Sequence, residues 1–244
     1  MRLSLTALLV AFLIGSPLSA VPARSADVDL ALVLAVDTSS SVNEERYQLQ
    51  MRGFAEAFRN SDVIGAIEQG PHGAIAVTLV QWASYGDYRQ VVGWTVIRDR
   101  VSASRFATAA LETGRSLSGS TSLSGAIDAS VQFLQSSGHA ASRKVIDISG
   151  DGSNNSGRPP AEARDEALAA GITINGLPIL TEEPTLDRYF RDNVIGGPGA
   201  FLVVADDFRA FSAAILYKLK REIAGSHYDI RHLTMLPPYD VSFD

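Results

Sequence analysis

The chain contains no cysteine, so it can carry neither a disulfide nor a lipidated N-terminal cysteine. A domain of this size can be stable without such staples, and the absence leaves the compartment open. Long apolar runs are scarce as well: one spans Leu3 to Ile14, and no second one exists. Basic charge is in short supply, with 21 Lys and Arg against 27 Asp and Glu and a formal net charge of -6. Nucleic acid needs a basic face, so that class of partner is excluded. Catalytic signatures are also missing. There is no G-x-S-x-G elbow and no G-x-x-x-x-G-K-[ST] phosphate loop, and His72, His139, His227 and His232 are tied to no serine loop by sequence. Asp37 lacks the second Asp two residues on that aspartyl phosphotransferases use. No catalytic residue is assigned and the chain is expected not to be an enzyme, with a metal-dependent hydrolase as the weakest alternative.

What is present begins with a leader. Arg2 precedes the apolar run, Gly15 and Pro17 break it, and small residues follow at Ser19-Ala20 and Ser25-Ala26, which marks residues 1–26 as a secretory signal peptide. Its apolar core of about a dozen residues falls short of the roughly 20 that span a membrane. The mature chain is expected in the periplasm or secreted, with no stable membrane insertion. A hydrophobic content of 46% in 244 residues supports one packed domain over 27–224, and residues 225–244 form an unpatterned C-terminal extension.

Leu30 to Val36 is apolar on both faces, as in a buried parallel strand, and ends in Asp37-Thr38-Ser39-Ser40-Ser41. A helix follows from Asn43 to Arg59, with Asn43 as N-cap and Glu44-Glu45 in its first turn. Ala74 to Trp82 and Gln90 to Ile97 read as strands joined through Tyr85-Gly86-Asp87-Tyr88. That connection is too short for a parallel return, so the second strand is antiparallel. Helical spacing recurs over Arg98 to Leu111, from Leu123 to Leu134, after Pro159-Pro160, over Leu186 to Val194 and over Asp207 to Ile223. Strands fall at Lys144 to Ser149, Ile172 to Ile179 and Phe201 to Ala205. Such alternation predicts a doubly wound α/β sheet with helices on both faces. Phe208, Phe211, Ile215 and Leu219 form the buried stripe expected of the last helix.

In open α/β sheets ligands bind outside the carboxyl ends of strands, where Asp37, Ser39 and Ser41 stand ready to meet a hard cation such as magnesium, manganese or calcium. The same residue types also cap helices. Two later stretches bear on the choice: Gly119-Ser120-Thr121, opening a helix, and the strand that runs into Gly150-Asp151-Gly152. The three together resemble the metal-ion-dependent adhesion site of the von Willebrand factor A domain family, and the resemblance extends from about Asp27 to Ile223. It implies that Asp37, Ser39 and Ser41 fill a D-x-S-x-S loop, with Thr121 and Asp151 completing the metal set. Two positions depart from that pattern: Ser40 stands where Gly is frequent, and Gly150 where Ser or Thr usually precedes the last Asp. Neither removes an oxygen ligand.

The resemblance further implies a mainly parallel six-stranded sheet with one antiparallel edge strand. It also implies a Mg2+ ion (or Mn2+ or Ca2+) and a non-catalytic module that binds an acidic residue of a protein partner. Similar short exported bacterial proteins form an uncharacterised family. The competing expectation is a metal-independent structural or assembly component of a cell-envelope complex. Trp82, Tyr85 and Tyr88 are candidates for a binding rim, whereas Glu182-Glu183 and Asn154-Asn155 read as solvated turns.

Overall fold

The computed structural model describes residues 27–224 and 240–242. The expected signal peptide and residues 225–239 of the expected extension lie outside the described residues. β1 (Asp27–Asp37) is buried along nearly its whole length. Successive side chains of a strand point to opposite faces, and here each face feeds its own core. Leu30, Leu32, Leu34 and Val36 enter one, and Ala31, Val33 and Ala35 the other. The first core is closed by α1 (Glu44–Arg59), α2 (Ser61–Glu68), α3 (Arg100–Leu111) and α7 (Phe211–Ala224), through residues such as Met51, Val63, Phe106 and Phe211. The second is closed by α4 (Leu123–Gln135), α5 (Pro160–Ala169) and α6 (Leu186–Asn193), through Ile127, Ala163 and Phe190. Burial on both faces is why β1 reads as an unbroken apolar run.

The remaining strands are β2 (Ile75–Trp82), β3 (Tyr88–Ile97), β4 (Ala140–Gly150), β5 (Thr173–Pro178), β6 (Phe201–Val203) and β7 (Asp240–Ser242), in the spatial order β3-β2-β1-β4-β5-β6-β7. β1, β2, β4, β5 and β6 run parallel, and β3 returns antiparallel to β2. This is the doubly wound, mainly parallel six-stranded sheet with an antiparallel edge that the sequence predicts. β7 adds a short antiparallel strand on β6. It comes from the extension, and three residues are too few to show an alternation in sequence.

β1 and β4 are neighbours, with Val36 opposite Ser149. From β1 the chain leaves through α1 and α2 on the first face, and from β4 through α5 on the second. Connections that diverge from adjacent strand ends leave a crevice between them, the place where open α/β sheets bind ligands. Two boundaries differ from expectation. α2 was not foreseen: Asn60 both ends α1 and caps α2, its side chain accepting from the Asp62 amide at 2.9 Å, so the break is one residue wide. The last helix starts at Phe211 because Asp207 Oδ1 accepts from the amides of Arg209 and Ala210, at 2.8 and 2.9 Å, and holds a turn there. Phe208, Phe211, Ile215 and Leu219 are all buried as the predicted stripe requires.

Candidate metal centre

At the carboxyl end of β1 the chain turns on its own side chain: the Ser39 amide donates to Asp37 Oδ1 at 2.7 Å. The turn is then tied to the loop before α4. The Ser40 amide donates to the Gly119 carbonyl at 2.9 Å, and Arg115 Nη2 donates to the carbonyls of Thr38 and Ser39 at 3.1 Å each. Gly119 holds φ 144°, and a Cβ there would come within 2.3 Å of Ser84 Oγ, so a glycine is required for this approach. Among the described residues no non-glycine has positive φ. Ser40 therefore stands without backbone strain where the family often has Gly.

Ser41 Oγ donates to Asp151 Oδ1 at 2.6 Å and lies 3.2 Å from Ser39 Oγ. A hydroxyl has one proton, so with Ser41 donating to Asp151 the proton between the two serines comes from Ser39. A directed chain Ser39 to Ser41 to Asp151 results. Thr121 is placed by its backbone: its amide donates to Asn155 Oδ1 at 2.8 Å, and its carbonyl accepts from the Asn155 amide at 2.9 Å. Its hydroxyl lies over Gly152, where an added Cβ would be 3.7 Å from Thr121 Oγ1. The structure thus gathers Asp37, Ser39, Ser41, Thr121 and Asp151 at one sheet end. Ser39, Ser41 and Asp151 are linked by side chains, Asp37 by a backbone amide, and Thr121 through the loop of Asn155.

Both carboxylates are fully buried. Asp37 Oδ2 receives no hydrogen bond, an unusual state for a buried charge-bearing oxygen. Burial, followed by the charge of Asp151, pushes the Asp37 carboxyl up to about 7. Burial also raises Asp151, against the lowering effects of the Ser41 hydrogen bond and the Arg46 charge. Gly150 belongs to the same geometry. A Cβ at that position would fall 3.1 Å from Asp37 Oδ2 and 3.3 Å from the Trp82 ring, so the indole fills the space that a Ser or Thr would need.

The donors fit a hard divalent ion. Two carboxylates and three hydroxyls are all oxygen, and magnesium, manganese and calcium prefer oxygen. Among the described residues no group of three or more His, Cys, Asp or Glu could hold a metal, so a nitrogen-rich or carboxylate-rich centre is not the competitor.

Several residues at this end escaped the sequence. Asn154, Asn155 and Glu183 are not solvated turns. Asn154 Oδ1 accepts from the Ser124 amide at 3.3 Å, and Glu183 accepts from the Ser153 amide at 2.9 Å, so these side chains fasten the loops of Thr121 and Asp151. Buried Gln50 accepts from Ser149 Oγ at 3.2 Å and reaches the Asp37 carbonyl at 3.5 Å. Arg46 Nη1 donates to the Ser41 carbonyl at 2.7 Å and to Glu182 Oε1 at 2.6 Å, and lies 3.5 Å from Asp151 Oδ2. A legible signal existed for Arg46, since a cation in the first turn of a helix opposes the macrodipole. Of the aromatics, Trp82 is buried and closes the core beneath the site, whereas Tyr85 and Tyr88 are exposed at its edge.

A sheet wound in this order, with a hydroxyl-bearing loop at the end of its first strand, has the fold of a von Willebrand factor A domain. Solved structures share it, among them the following. The proximal thread matrix protein 1 of the mussel byssus, solved with a zinc-occupied MIDAS motif, gives a TM-score of 0.59 at 16% identity, over 83% of this chain and 50% of that one. A von Willebrand factor type A protein from Catenulispora acidiphila gives 0.56 at 16%, over 81% and 42%. The pilus adhesin SpaC from Lactobacillus rhamnosus GG gives 0.56 at 14%, over 82% and 31%. This chain therefore spans half or less of the length of these proteins. A comparison with curated proteins finds no match. The chain belongs to the family described as "Protein of unknown function (DUF1194)", which it matches over residues 27–227.

Proposed function

We propose that this chain is an exported, non-catalytic protein-binding module that holds a divalent cation through Asp37, Ser39, Ser41, Thr121 and Asp151. Its partner would be a protein presenting an acidic residue. The observation that carries the proposal is the pairing of a directed hydroxyl chain, Ser39 to Ser41 to Asp151, with a buried Asp37 oxygen that no donor satisfies. Bound there, the ion would supply a Lewis-acidic centre with room for one further oxygen ligand, because two carboxylates do not saturate it. The protein's own part is to hold hydroxyl and carboxylate oxygens convergent and dry. Tyr85, 52% exposed at the edge of the site, offers the partner an aromatic contact.

A non-catalytic role is supported by the placement of the described histidines. His72 donates its amide to Asp29 Oδ1 at 2.9 Å, and His139 stacks edge-on against Trp94 at 6.0 Å. Both lie by the amino ends of β1 and β4, opposite Asp37. Export to the periplasm or outside the cell rests on the leader at 1–26. Among the described residues no helix is long and apolar enough to cross a membrane.

Titration calorimetry on the mature chain tests the metal. Magnesium or manganese binding is expected, abolished in Asp37→Ala and weakened in Thr121→Ala, with a melting temperature that rises with metal. No binding heat and an unchanged melt at millimolar metal would overturn the proposal. Capture from envelope extracts with and without chelator separates the roles, since capture that survives both chelator and Asp37→Ala assigns a metal-independent assembly function.

A further inference from the structure

Arg46 occupies the rim of the site with one guanidinium nitrogen shared among three oxygens: Ser41 O at 2.7 Å, Glu182 Oε1 at 2.6 Å and Asp151 Oδ2 at 3.5 Å. Its Cζ lies 5.2 Å from the centroid of the Phe208 ring, on the segment leading into α7. The Arg46 side chain is 26% exposed and that of Glu182 47%, whereas Asp151 is fully buried. All three contacts fall on Nη1, and of the two carboxylates it meets only that of Glu182 belongs to an exposed side chain, free to leave.

Charge balance gives this arrangement a meaning. With their carboxylates ionised, Asp37, Asp151, Glu182 and Arg46 together carry two negative charges. A divalent cation neutralises them, and an incoming carboxylate leaves the cluster neutral only by taking the place of Glu182 on Arg46. Without Arg46 the same cation would leave the cluster negative, and a carboxylate ligand would meet repulsion. Arg46 thus opposes the cation and favours the anion that follows it. Glu182 already presents to Arg46 the chemistry of that anion, a glutamate carboxylate on a guanidinium.

We infer that Arg46 is a specificity-determining residue for the partner's acidic group, and that Glu182 is an internal stand-in which that group displaces from the guanidinium. The inference rests on the metal-binding reading above and adds the second anchor of the carboxylate.

Calorimetry with two probes tests it: magnesium alone, then a blocked Gly-Glu-Gly peptide in saturating magnesium, with Gly-Gln-Gly as control. Arg46→Gln is expected to bind magnesium about threefold to tenfold more tightly and the Glu peptide about tenfold more weakly, opposite signs that a merely structural role does not give. Glu182→Gln, a half-exposed loop position that endangers no core, is expected to bind the Glu peptide about threefold more tightly. Arg46→Lys should keep native magnesium affinity and lose part of the peptide affinity, because its ammonium lacks the planar fork. Magnesium binding by the native chain with both affinities unchanged in Arg46→Gln, or shifted in the same direction, overturns the inference and leaves the metal site standing. So does a Glu182→Gln chain that binds the peptide no better than native. Failure of the native chain to bind magnesium overturns both.

Discussion

A buried ionic cluster beneath α7 gives the sharpest stability prediction. Lys218 is fully buried, and its Nζ lies 2.6 Å from Asp147 Oδ1 on β4. The two opposite charges are thus in direct contact, and Asp147 Oδ2 has no donor of its own. Glu222, one turn further along α7, accepts from Asn175, sits 3.7 Å from Arg143, and is also buried. Burial raises both the Asp147 and the Glu222 carboxyls, and in each case Lys218 is the leading opposing influence. Lys218→Met keeps the length of the side chain and removes the charge, leaving two carboxylates without their buried cation. Removing one partner of a buried pair costs about 3–5 kcal/mol, far above the cost of an exposed pair. For a domain of this size that corresponds to a melting temperature lower by about 9–15 °C.

The loss should depend on pH in a fixed direction. Ordinary values are 3.8 for Asp and 4.5 for Glu, and both groups are shifted upward in the fold. Between the ordinary and the raised value the folded state binds more protons than the unfolded, so stability falls as pH rises through that window. Lys218→Met lifts the upper limit of the window, so its deficit should be largest at pH 8 and shrink toward pH 4, where the carboxylates are protonated in the folded state and only partly ionised in the unfolded one. Urea denaturation of native and variant chains at the two pH values measures it. A deficit under about 1 kcal/mol at pH 8, or one equal at both pH values, refutes the reasoning. Lys218→Met combined with Asp147→Leu should recover much of the loss, as apolar replacement of a buried pair commonly does.

Three further outcomes follow from the geometry. With Asp37 raised to about 7 from 3.8, stability in chelator should decline as pH rises through that interval, and Asp37→Asn should melt higher at pH 8 while losing its response to magnesium; parallel pH profiles for the two chains would contradict this. Gly53→Ala in α1 should destabilise by roughly 1–3 kcal/mol, because the new Cβ would lie 2.8 Å from the Phe211 ring and 3.1 Å from Ser212 Cα. Gly65→Ala in α2 meets only Gln69 Nε2 at 3.8 Å and should stabilise by about 0.5–1 kcal/mol; thermal melts giving both the same sign would be inconsistent with the packing. Gly150→Ser should destabilise by roughly 1–3 kcal/mol and perturb Trp82 fluorescence, and Trp82→Leu in the same chain should recover part of the loss.

Local signals made most of this architecture legible. β1 announced itself because burial on both faces demands an unbroken apolar run, and α1 because Asn43 supplies a capping oxygen, accepting from the Arg46 amide at 2.9 Å. α2 was hidden because its apolar positions, Val63, Ile64 and Ile67, are too few to establish a period over eight residues. Of the proposed metal set, Asp37, Ser39 and Ser41 were marked by residue types at a fixed short spacing, and Thr121 and Asp151 by the resemblance alone. The supports of the set were not: Asn155, Glu183, Arg46 and Gln50 act across 34, 30, 105 and 99 residues of chain, on Thr121, Ser153, Asp151 and Ser149, and nothing local marks such a pairing.

Two aspartates of β4 and its exit show why one charge cluster reads as structure and the other as a site. Asp147 and Asp151 are one short step apart on the same strand and its exit, and both are buried. Asp147 is met by a cation from the protein itself, Lys218, at 2.6 Å. Among the described residues Asp151 and Asp37 have only Arg46, at 3.5 Å from one of them and already engaged by Glu182. Lys218 shows that this fold can bring a lysine against a buried aspartate of β4. The corresponding position at the carboxyl end is given to Ser39, Ser41 and Thr121 instead. Hydroxyls cannot neutralise a carboxylate pair, but they can share a cation with one. Under the proposed reading, the choice of hydroxyls over an ammonium leaves the charge of the carboxylate pair to be matched from outside the chain, by a divalent cation.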